Sequence, residues 1–415
     1  MARGKIAIAG AGIAGMTCAL YLARYGYNVN LFEAAPALSE VGAGLQLSPN
    51  AVACLAQLGL QEPLEEVAIK PDSIDVFTAA TGRKLTAIPL GNYASKRYAA
   101  PYYVIHRADL QTLLATAVNE CANITTHLNS SVVSANIEGE KLSLNLEPTC
   151  NKRELANGLL ETKGTTTAEF DLLLAANGVW SSLRKQLQLP PAKYSGRVAY
   201  RATIGASHLP ANMRQNTGLW LGHKAHLVHY PVSAGTQLNI VAIVHEDWQQ
   251  QDWSHQTTID NLLPHFKNWS PKITRYLTEA HCWTRWALCH ILPGDCWSKG
   301  RIALLGDAAH AMTPFMAQGA GMAIEDAAVL AQQIGKFGAT PVALTAYANE
   351  RRERAEKVAK TALANERIYH LPAPLSLGRN MVMRTTPPSI LLGKYDWIYN
   401  WTPPPLPPEA QNGTH

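Results

Sequence analysis

Charge is scarce in this chain: only 16% of its 415 residues are Asp, Glu, Lys or Arg. The 36 Lys and Arg against 31 Asp and Glu give a mildly basic protein, with an isoelectric point near 8.7. That surplus is scattered, and no basic stripe is interleaved with aromatics, so a nucleic-acid partner is not expected. Cysteine is also sparse. The seven cysteines, at 18, 54, 121, 150, 282, 289 and 296, are odd in number and include no CxxC pair. This excludes a disulfide framework and points to a reducing compartment. Cys282, Cys289, Cys296, His281 and His290 lie close in sequence, but their spacing fits no zinc pattern, so no metal is expected. No apolar run reaches the roughly 18 residues that a membrane span needs. Residues 6–23 are apolar and follow basic residues, as in a signal peptide, but their glycine spacing has another origin. A cytoplasmic protein is the expectation. There is no internal repeat.

What is abundant is apolar surface: 47% of the residues are hydrophobic, enough for one large core or two that share an interface. Residues 5–9 read as a buried strand and are followed by Gly10-Ala-Gly12-Ile-Ala-Gly15, a stretch of helical period over 16–25, a second strand over 28–32, and Glu33. Strand, glycine turn, helix, strand and acid make a dinucleotide unit. Gly10 permits the tight turn, Gly12 lets a pyrophosphate reach the backbone, Gly15 allows close helix–strand contact, and Glu33 accepts from ribose hydroxyls. An acid at position 33 disfavours a 2′-phosphate, so FAD and NAD remain as ligands and NADP does not.

Residues 41–50 form a glycine-rich loop whose Gly44 can bring backbone to a ligand, and a helix runs from Ala51 to near Gly59. Residues 73–90 alternate like antiparallel strands around a turn at Thr81-Gly82. At 103–110 a strand feeds a helix capped near Asp109, with Arg107 at the junction, where its guanidinium can reach phosphate or ribityl oxygens or form a structural ion pair. Residues 125–146 read as two strands and 151–167 as a polar hairpin loop or a disordered tip. Residues 170–176 form a buried strand that ends in Asn177-Gly-Val-Trp-Ser-Ser-Leu-Arg184. Alternation resumes over 197–204, 218–231 and 236–245, and 260–280 reads as helix.

The most informative stretch is 301–326, RIALLGDAAHAMTPFMAQGAGMAIED. A short strand breaks at Gly306-Asp307, and after a proline-containing loop Gly319 and Gly321 open another helix. Asp307 can accept from sugar-like hydroxyls while free N–H groups at the helix start face negative charge. Long helices follow over 326–337 and 342–370, and residues 402–408 hold five prolines.

With GAGIAG and Glu33, HRADL, NGVWSSLR and GDAAHAMTPFMAQGAGMAIEDA in place across nearly its whole length, the chain resembles the FAD-dependent aromatic hydroxylases, or class A flavoprotein monooxygenases, especially the group around salicylate hydroxylase. The resemblance implies an α/β fold of the glutathione reductase and p-hydroxybenzoate hydroxylase type. In it, a discontinuous Rossmann-like FAD domain (1–70, 98–184 and 283–337) carries an inserted, mostly antiparallel substrate sheet (71–97 and 185–282). A C-terminal helical region (338–400) and a proline-rich tail (401–415) follow. It implies bound FAD, reduction by transient NADH or NADPH, and delivery of oxygen from O2 through a flavin hydroperoxide to a small hydroxylated or carboxylated ring. A larger heteroaromatic substrate, or the chemistry of a flavin halogenase or reductase, is the alternative. The halogenase signature Trp-x-Trp-x-Ile-Pro is not matched by Trp283-Thr-Arg-Trp286-Ala-Leu, and a carrier protein of this fold would not keep 306–326 intact. A monomer or homodimer is expected.

By the same resemblance Asp307 holds the ribityl chain, Pro314 lies beside the isoalloxazine, the Gly319-Ala320-Gly321 backbone faces its pyrimidine end, and Arg107 contacts the phosphates. Strand period puts His226 and Tyr230 on one face of the segment 222–231. Relatives line the substrate pocket with a His and a Tyr at this spacing, so His226 is the expected general base, an imidazole titrating in the right range, and Tyr230 a donor to a substrate oxygen. Gln46, Phe315 and Gln318 are expected pocket walls. Relatives that act on hydroxypyridines carry His where this chain has Gln46 and Phe315, which argues against that substrate class. Arg201 is expected either to hold a substrate carboxylate or to be structural. One motif departs from the family: Asn177-Gly178 replaces the usual Asp-Gly, which puts nicotinamide preference in question.

Overall fold

The computed structural model describes residues 3–38, 44–148, 164–165, 168–248, 254–292, 294 and 296–407. A six-stranded sheet runs in the order Ser298–Lys299, Ile302–Leu304, Leu172–Ala175, Lys5–Ala9, Asn28–Phe32, Ile124–His127. All its pairings are parallel except the first. Leu172–Ala175 is buried at all four positions, as expected of a strand covered on both faces. The helices Ile13–Arg24 and Gly319–Phe337 pack together against this sheet and share its core.

Eight strands form a second sheet: Ser254–Thr257, Trp283–His290, Lys193–Gly205, Gln237–His245, Ala225–Val232, Thr217–Leu221, Ser73–Thr78 and Lys84–Pro89. It is antiparallel apart from the pairing of Thr217–Leu221 with Ser73–Thr78. Trp283–His290, expected to rejoin the nucleotide unit, instead pairs along Lys193–Gly205 in this second sheet. Residues 260–280 are not one helix: Ile259–Leu262, a tight turn Leu263–Phe266, and Pro271–Leu277 are separated where Pro264 and Pro271 interrupt helical hydrogen bonding. A small ladder pairs Gly44–Leu47 with Tyr103–His106. The helix after it starts at Arg107, and His106, not Asp109, caps it by accepting from the Ala108 N–H at 3.2 Å. The expected hairpin loop at 151–167 lies outside the described residues but for 164–165, and so do Cys150 and the end of the proline-rich tail.

Among the described residues, no helix is long and apolar enough to cross a membrane. The six described cysteines are free.

The helix Pro341–Tyr369 lies across Gly319–Phe337, and the seam between them is ionic. Arg351 donates to Asp326 at 2.8 Å and pairs with Glu325 at 2.7 Å, while Arg354 pairs with Glu325 at 2.7 Å. Neither carboxylate has measurable exposure. Asp326 also accepts from His310 at 2.6 Å and from the Gly306 N–H at 3.0 Å; His310 and Arg351 keep its pKa far below the usual carboxylate range against the opposing effect of burial. Removing one partner of such a group strands a buried charge. We therefore expect Arg351→Met to lower unfolding free energy by about 3–5 kcal/mol in urea titrations. A loss below about 1 kcal/mol would show that the cluster does not hold the two helices.

Candidate active site

A cavity of about 520 Å³ lies where the glycine turn of the parallel sheet meets one face of the eight-stranded sheet. Its first wall is made by the dinucleotide unit. Gly10 has φ +100°, and a Cβ there would come within 2.6 Å of the Ala176 carbonyl oxygen, so the turn accepts only glycine. A Cβ on Gly12 would meet nothing within 4 Å, because this backbone faces the cavity. Gly15 does not line it; a Cβ there would stand 1.9 Å from the Gly10 oxygen, so its role is the close helix–strand contact. Glu33 lines the cavity with its carboxylate fixed by the N–H groups of Ala11 at 2.7 Å and Ala35 at 2.9 Å. Lone pairs on both oxygens remain for hydroxyl donors.

The second wall comes from 306–320. Asp307 is exposed between buried Gly306 and Ala308 and borders the cavity, with no hydrogen bond to any described residue. Pro314, Gly319 and Ala320 line it as well, and a Cβ on Gly319 would meet nothing within 4 Å. The free N–H groups at the start of Gly319–Phe337 can therefore meet an electron-rich ligand there. Gly321 is a packing position: a Cβ would come within 2.9 Å of Gln318 Oε1. Arg107 lines the cavity from the first residue of its helix, and Asn177 lines it with a buried Oδ1 that has no hydrogen-bond partner. An orphaned buried acceptor, glycines open to a cavity and an unpaired acid suit a nucleotide with a polyol chain.

The third wall is the eight-stranded sheet. His226, Val228 and Tyr230 face the cavity from Ala225–Val232, while Leu227 joins the core on the sheet's other side, as period-2 alternation requires. Val241, Ile243 and Arg201 complete this face from the neighbouring strands. Gly44 donates its N–H to Asn239 at 2.9 Å, and a Cβ there would strike the Tyr230 ring at 2.4 Å, so only glycine lets the tyrosine stand where it does. Gln46 lines the cavity and accepts from Tyr102.

Two expected pocket walls lie elsewhere. Phe315 is buried behind His226, ring centroids 5.1 Å apart, and does not border the cavity. Gln318 is consumed by the scaffold, donating to Ser48 at 2.8 Å and accepting from Asn50 at 3.3 Å. The titration expected of His226 is also corrected. Burial, then His370 and Arg197, push its pKa well below the ordinary imidazole value, so it stands neutral and cannot store a proton. Burial raises the Tyr230 pKa against the effect of Arg201, so the phenol stays a donor. Sequence reasoning missed Ser130, Ser131 and Val132, which line the cavity beyond Glu33, and Met312. It also missed Val241 and Ile243, which the alternation of 237–245 could have supplied.

Fold and cavity together place the protein among the FAD-dependent monooxygenases of aromatic rings. The chain belongs to the family described as FAD binding domain, which matches residues 3–362. It is 33% identical over 398 residues to 3-hydroxybenzoate 6-hydroxylase 1 of Aquipseudomonas alcaligenes, covering 95% of this chain and 97% of that one. Its identity to 6-hydroxynicotinate 3-monooxygenase of Pseudomonas fluorescens is 33% over 370 residues, covering 87% and 91%. A solved salicylate hydroxylase substrate complex superposes with TM-score 0.78 at 26% identity, over 96% of each chain.

Three histidines around this wall make stability depend on pH. Burial pushes His229 down to about 4 and His370 to about 3, and lowers His226 as well. The unfolded chain takes up these protons near the ordinary imidazole pKa and the folded chain refuses them, so stability is complete above that value and falls as pH drops toward 4 and 3. Thermal unfolding should therefore move to lower temperature between about pH 7 and 4.5, with a slope of about 1 kcal/mol per pH unit or more. A midpoint that stays level over that range would contradict the buried neutral state.

Proposed function

We propose that the protein hydroxylates a small aromatic acid carrying a ring hydroxyl, consuming NADH or NADPH and O2. Arg201 carries this reading. It lines the cavity beside the Trp286 ring, 5.5 Å from its centroid, and among the described residues no carboxylate pairs with it. Burial and the neighbouring Arg107 lower its pKa against the effect of Tyr230, so a bound anion would stabilise its charged form. The relatives named above act on 3-hydroxybenzoate, 6-hydroxynicotinate and salicylate, each a ring with a hydroxyl and a carboxylate.

FAD, when bound and reduced by a nicotinamide, supplies the oxygen-activating chemistry. Glu33 would hold its ribose, the 10–13 backbone its pyrophosphate, Asp307 its ribityl hydroxyls, and the Gly319 and Ala320 N–H groups its ring, with Arg107 near the phosphates and Pro314 alongside. The remaining work belongs to the opposite wall. Arg201 takes the substrate carboxylate in a charge-assisted hydrogen bond. Val228, Val241, Ile243 and Met312 enclose the ring and exclude water. Tyr230 donates to a substrate oxygen. His226 turns Nε2 to the substrate hydroxyl and accepts a hydrogen bond from it, because Nδ1 is engaged elsewhere, by His370 at 2.9 Å. That bond draws the hydroxyl toward its phenolate form and raises electron density on the ring carbon that is to be attacked. By the family resemblance, hydroxypyridine-oxidising relatives would carry His in place of Gln46 and the buried Phe315, which favours a benzoate over a pyridine ring.

Two measurements test the assignment. Asp307→Ala should weaken FAD binding by about 1.5–3 kcal/mol in fluorescence titrations of the apoprotein, and an unchanged affinity would remove Asp307 from the cofactor site. With the FAD-loaded enzyme, NADH and NADPH oxidation should accelerate with 3-hydroxybenzoate or salicylate and much less with phenol. Arg201→Met should raise KM for the acid by about tenfold to a hundredfold and change kcat less. Equal turnover of phenol, or a KM unmoved by the substitution, would reject a carboxylate substrate.

A further inference from the structure

The helix Leu375–Thr385 is inside out. It holds no buried residue. Its half-buried side is made of Ser376, Arg379, Asn380 and Met383, spaced i, i+3, i+4 and i+7 as one face of a helix requires, and three of these four are polar. Arg379 fixes that orientation. It donates to the carbonyls of Ile368 at 3.0 Å and Tyr369 at 2.7 Å, closing the C-terminal end of Pro341–Tyr369. The apolar side of the helix is thereby turned outward. Leu375, Leu377, Met381 and Val382 are exposed by 55% to 68%, and Ile390 of the next helix, Pro388–Gly393, by 56%. A surface helix ordinarily shows the reverse order, and apolar side chains gathered in this way mark a contact site.

Charge says what the contact is. Both helices pack on Lys84–Pro89, the edge strand of the eight-stranded sheet. Residues 367–395 contain no Asp or Glu, and neither do residues 83–97, while the two segments together hold eight Lys and Arg. Among the described residues only Lys84 and Arg97 of these eight pair with an acid, Lys84 with Asp75 at 2.8 Å and Arg97 with Asp396. Arg384 stands exposed on the helix itself and Lys394 just beyond the next one, with exposed Arg83, Lys96 and Arg367 on the elements that adjoin them. A second copy of the chain docked on this face would set cations against cations. A surface of anionic lipid meets the apolar side chains and the charges together.

We propose that Leu375–Thr385 is an interfacial helix that docks the protein on a membrane surface carrying anionic headgroups. Its 11 residues are too few to span a bilayer, so the helix lies in the plane of the surface. Leu377, Met381 and Val382 enter the boundary between headgroups and acyl chains, and Arg384 and Lys394 meet the lipid phosphates in charge-assisted hydrogen bonds. The docking is independent of which ring the enzyme oxidises.

Vesicle flotation of the FAD-loaded full chain tests this. Vesicles of phosphatidylcholine mixed equally with phosphatidylglycerol should carry the wild-type protein at least about tenfold better than phosphatidylcholine alone, and high salt should shrink the difference. Met381→Glu combined with Val382→Glu, both at exposed positions, should lower partitioning by at least about thirtyfold with flavin absorbance unchanged. Arg384→Glu leaves the apolar face whole and should lower it by about tenfold, which keeps the proposal testable if the double variant fails to fold. Wild-type protein that stays with the buffer, a double variant that floats as wild type does, or equal binding to both kinds of vesicle would overturn the proposal. So would a dimer in sedimentation velocity that the double substitution splits, because a second copy would then cover the face.

Discussion

The site depends on a charge cluster with no measurable exposure of its two acids. Asp326 is bound at once by Arg351, His310 and the Gly306 N–H, and Glu325 by Arg351, Arg354 and Asn50. These contacts tie the Gly306–Asp307 turn, the helix behind it, the long helix Pro341–Tyr369 and the start of Pro49–Gln57 into one unit. Because each carboxylate is desolvated, each partner must stay in place or leave a buried charge unpaired. Asp307 itself stays free to face the cavity because its neighbour's N–H is fixed by Asp326. From Asn50 the network continues through Gln318 to Ser48, so the loop ahead of the glycine-opened helix is held as well.

Against this half stands a sheet whose cavity-facing residues are mostly buried. Its polar groups, Arg201, Tyr230 and His226, lie among Val228, Val241 and Ile243. Low dielectric strengthens each interaction with a bound anion and lowers the proton affinity of the imidazoles. One physical cause, burial, thus lowers the pKa of Arg201, holds the Tyr230 phenol protonated and holds the His226 imidazole neutral. The long helix joins both halves: Arg351 and Arg354 near its middle anchor the cofactor turn, and His370 at its end meets His226.

Much of this was legible in the sequence where the signal is local. The Gly10, Gly12 and Gly15 spacing, Glu33, and the turn at Gly306-Asp307 are short-range patterns whose glycines answer backbone needs visible along the chain. Period-2 alternation likewise put His226 and Tyr230 on one face. What depends on distant partners was not legible. Nothing near Trp283 says that its strand pairs with Lys193–Gly205 rather than returning to the parallel sheet. Phe315 and Gln318 were expected as pocket walls from the family resemblance alone, yet one side chain backs His226 and the other bonds to Ser48 and Asn50. The protonation of His226 follows from burial and from His370, and no local pattern announces either. Glu325 and Asp326 ended the most informative motif without showing that arginines 25 to 29 residues on would neutralise them.

The most direct test of the central claim is the origin of the new oxygen atom. The FAD-loaded enzyme is given 18O2, a reduced nicotinamide and a hydroxybenzoate, and the product is weighed by mass spectrometry. A monooxygenase built on this cavity places one labelled atom on the ring. A product without label, or nicotinamide consumed with no oxygenated ring compound formed, would contradict the account.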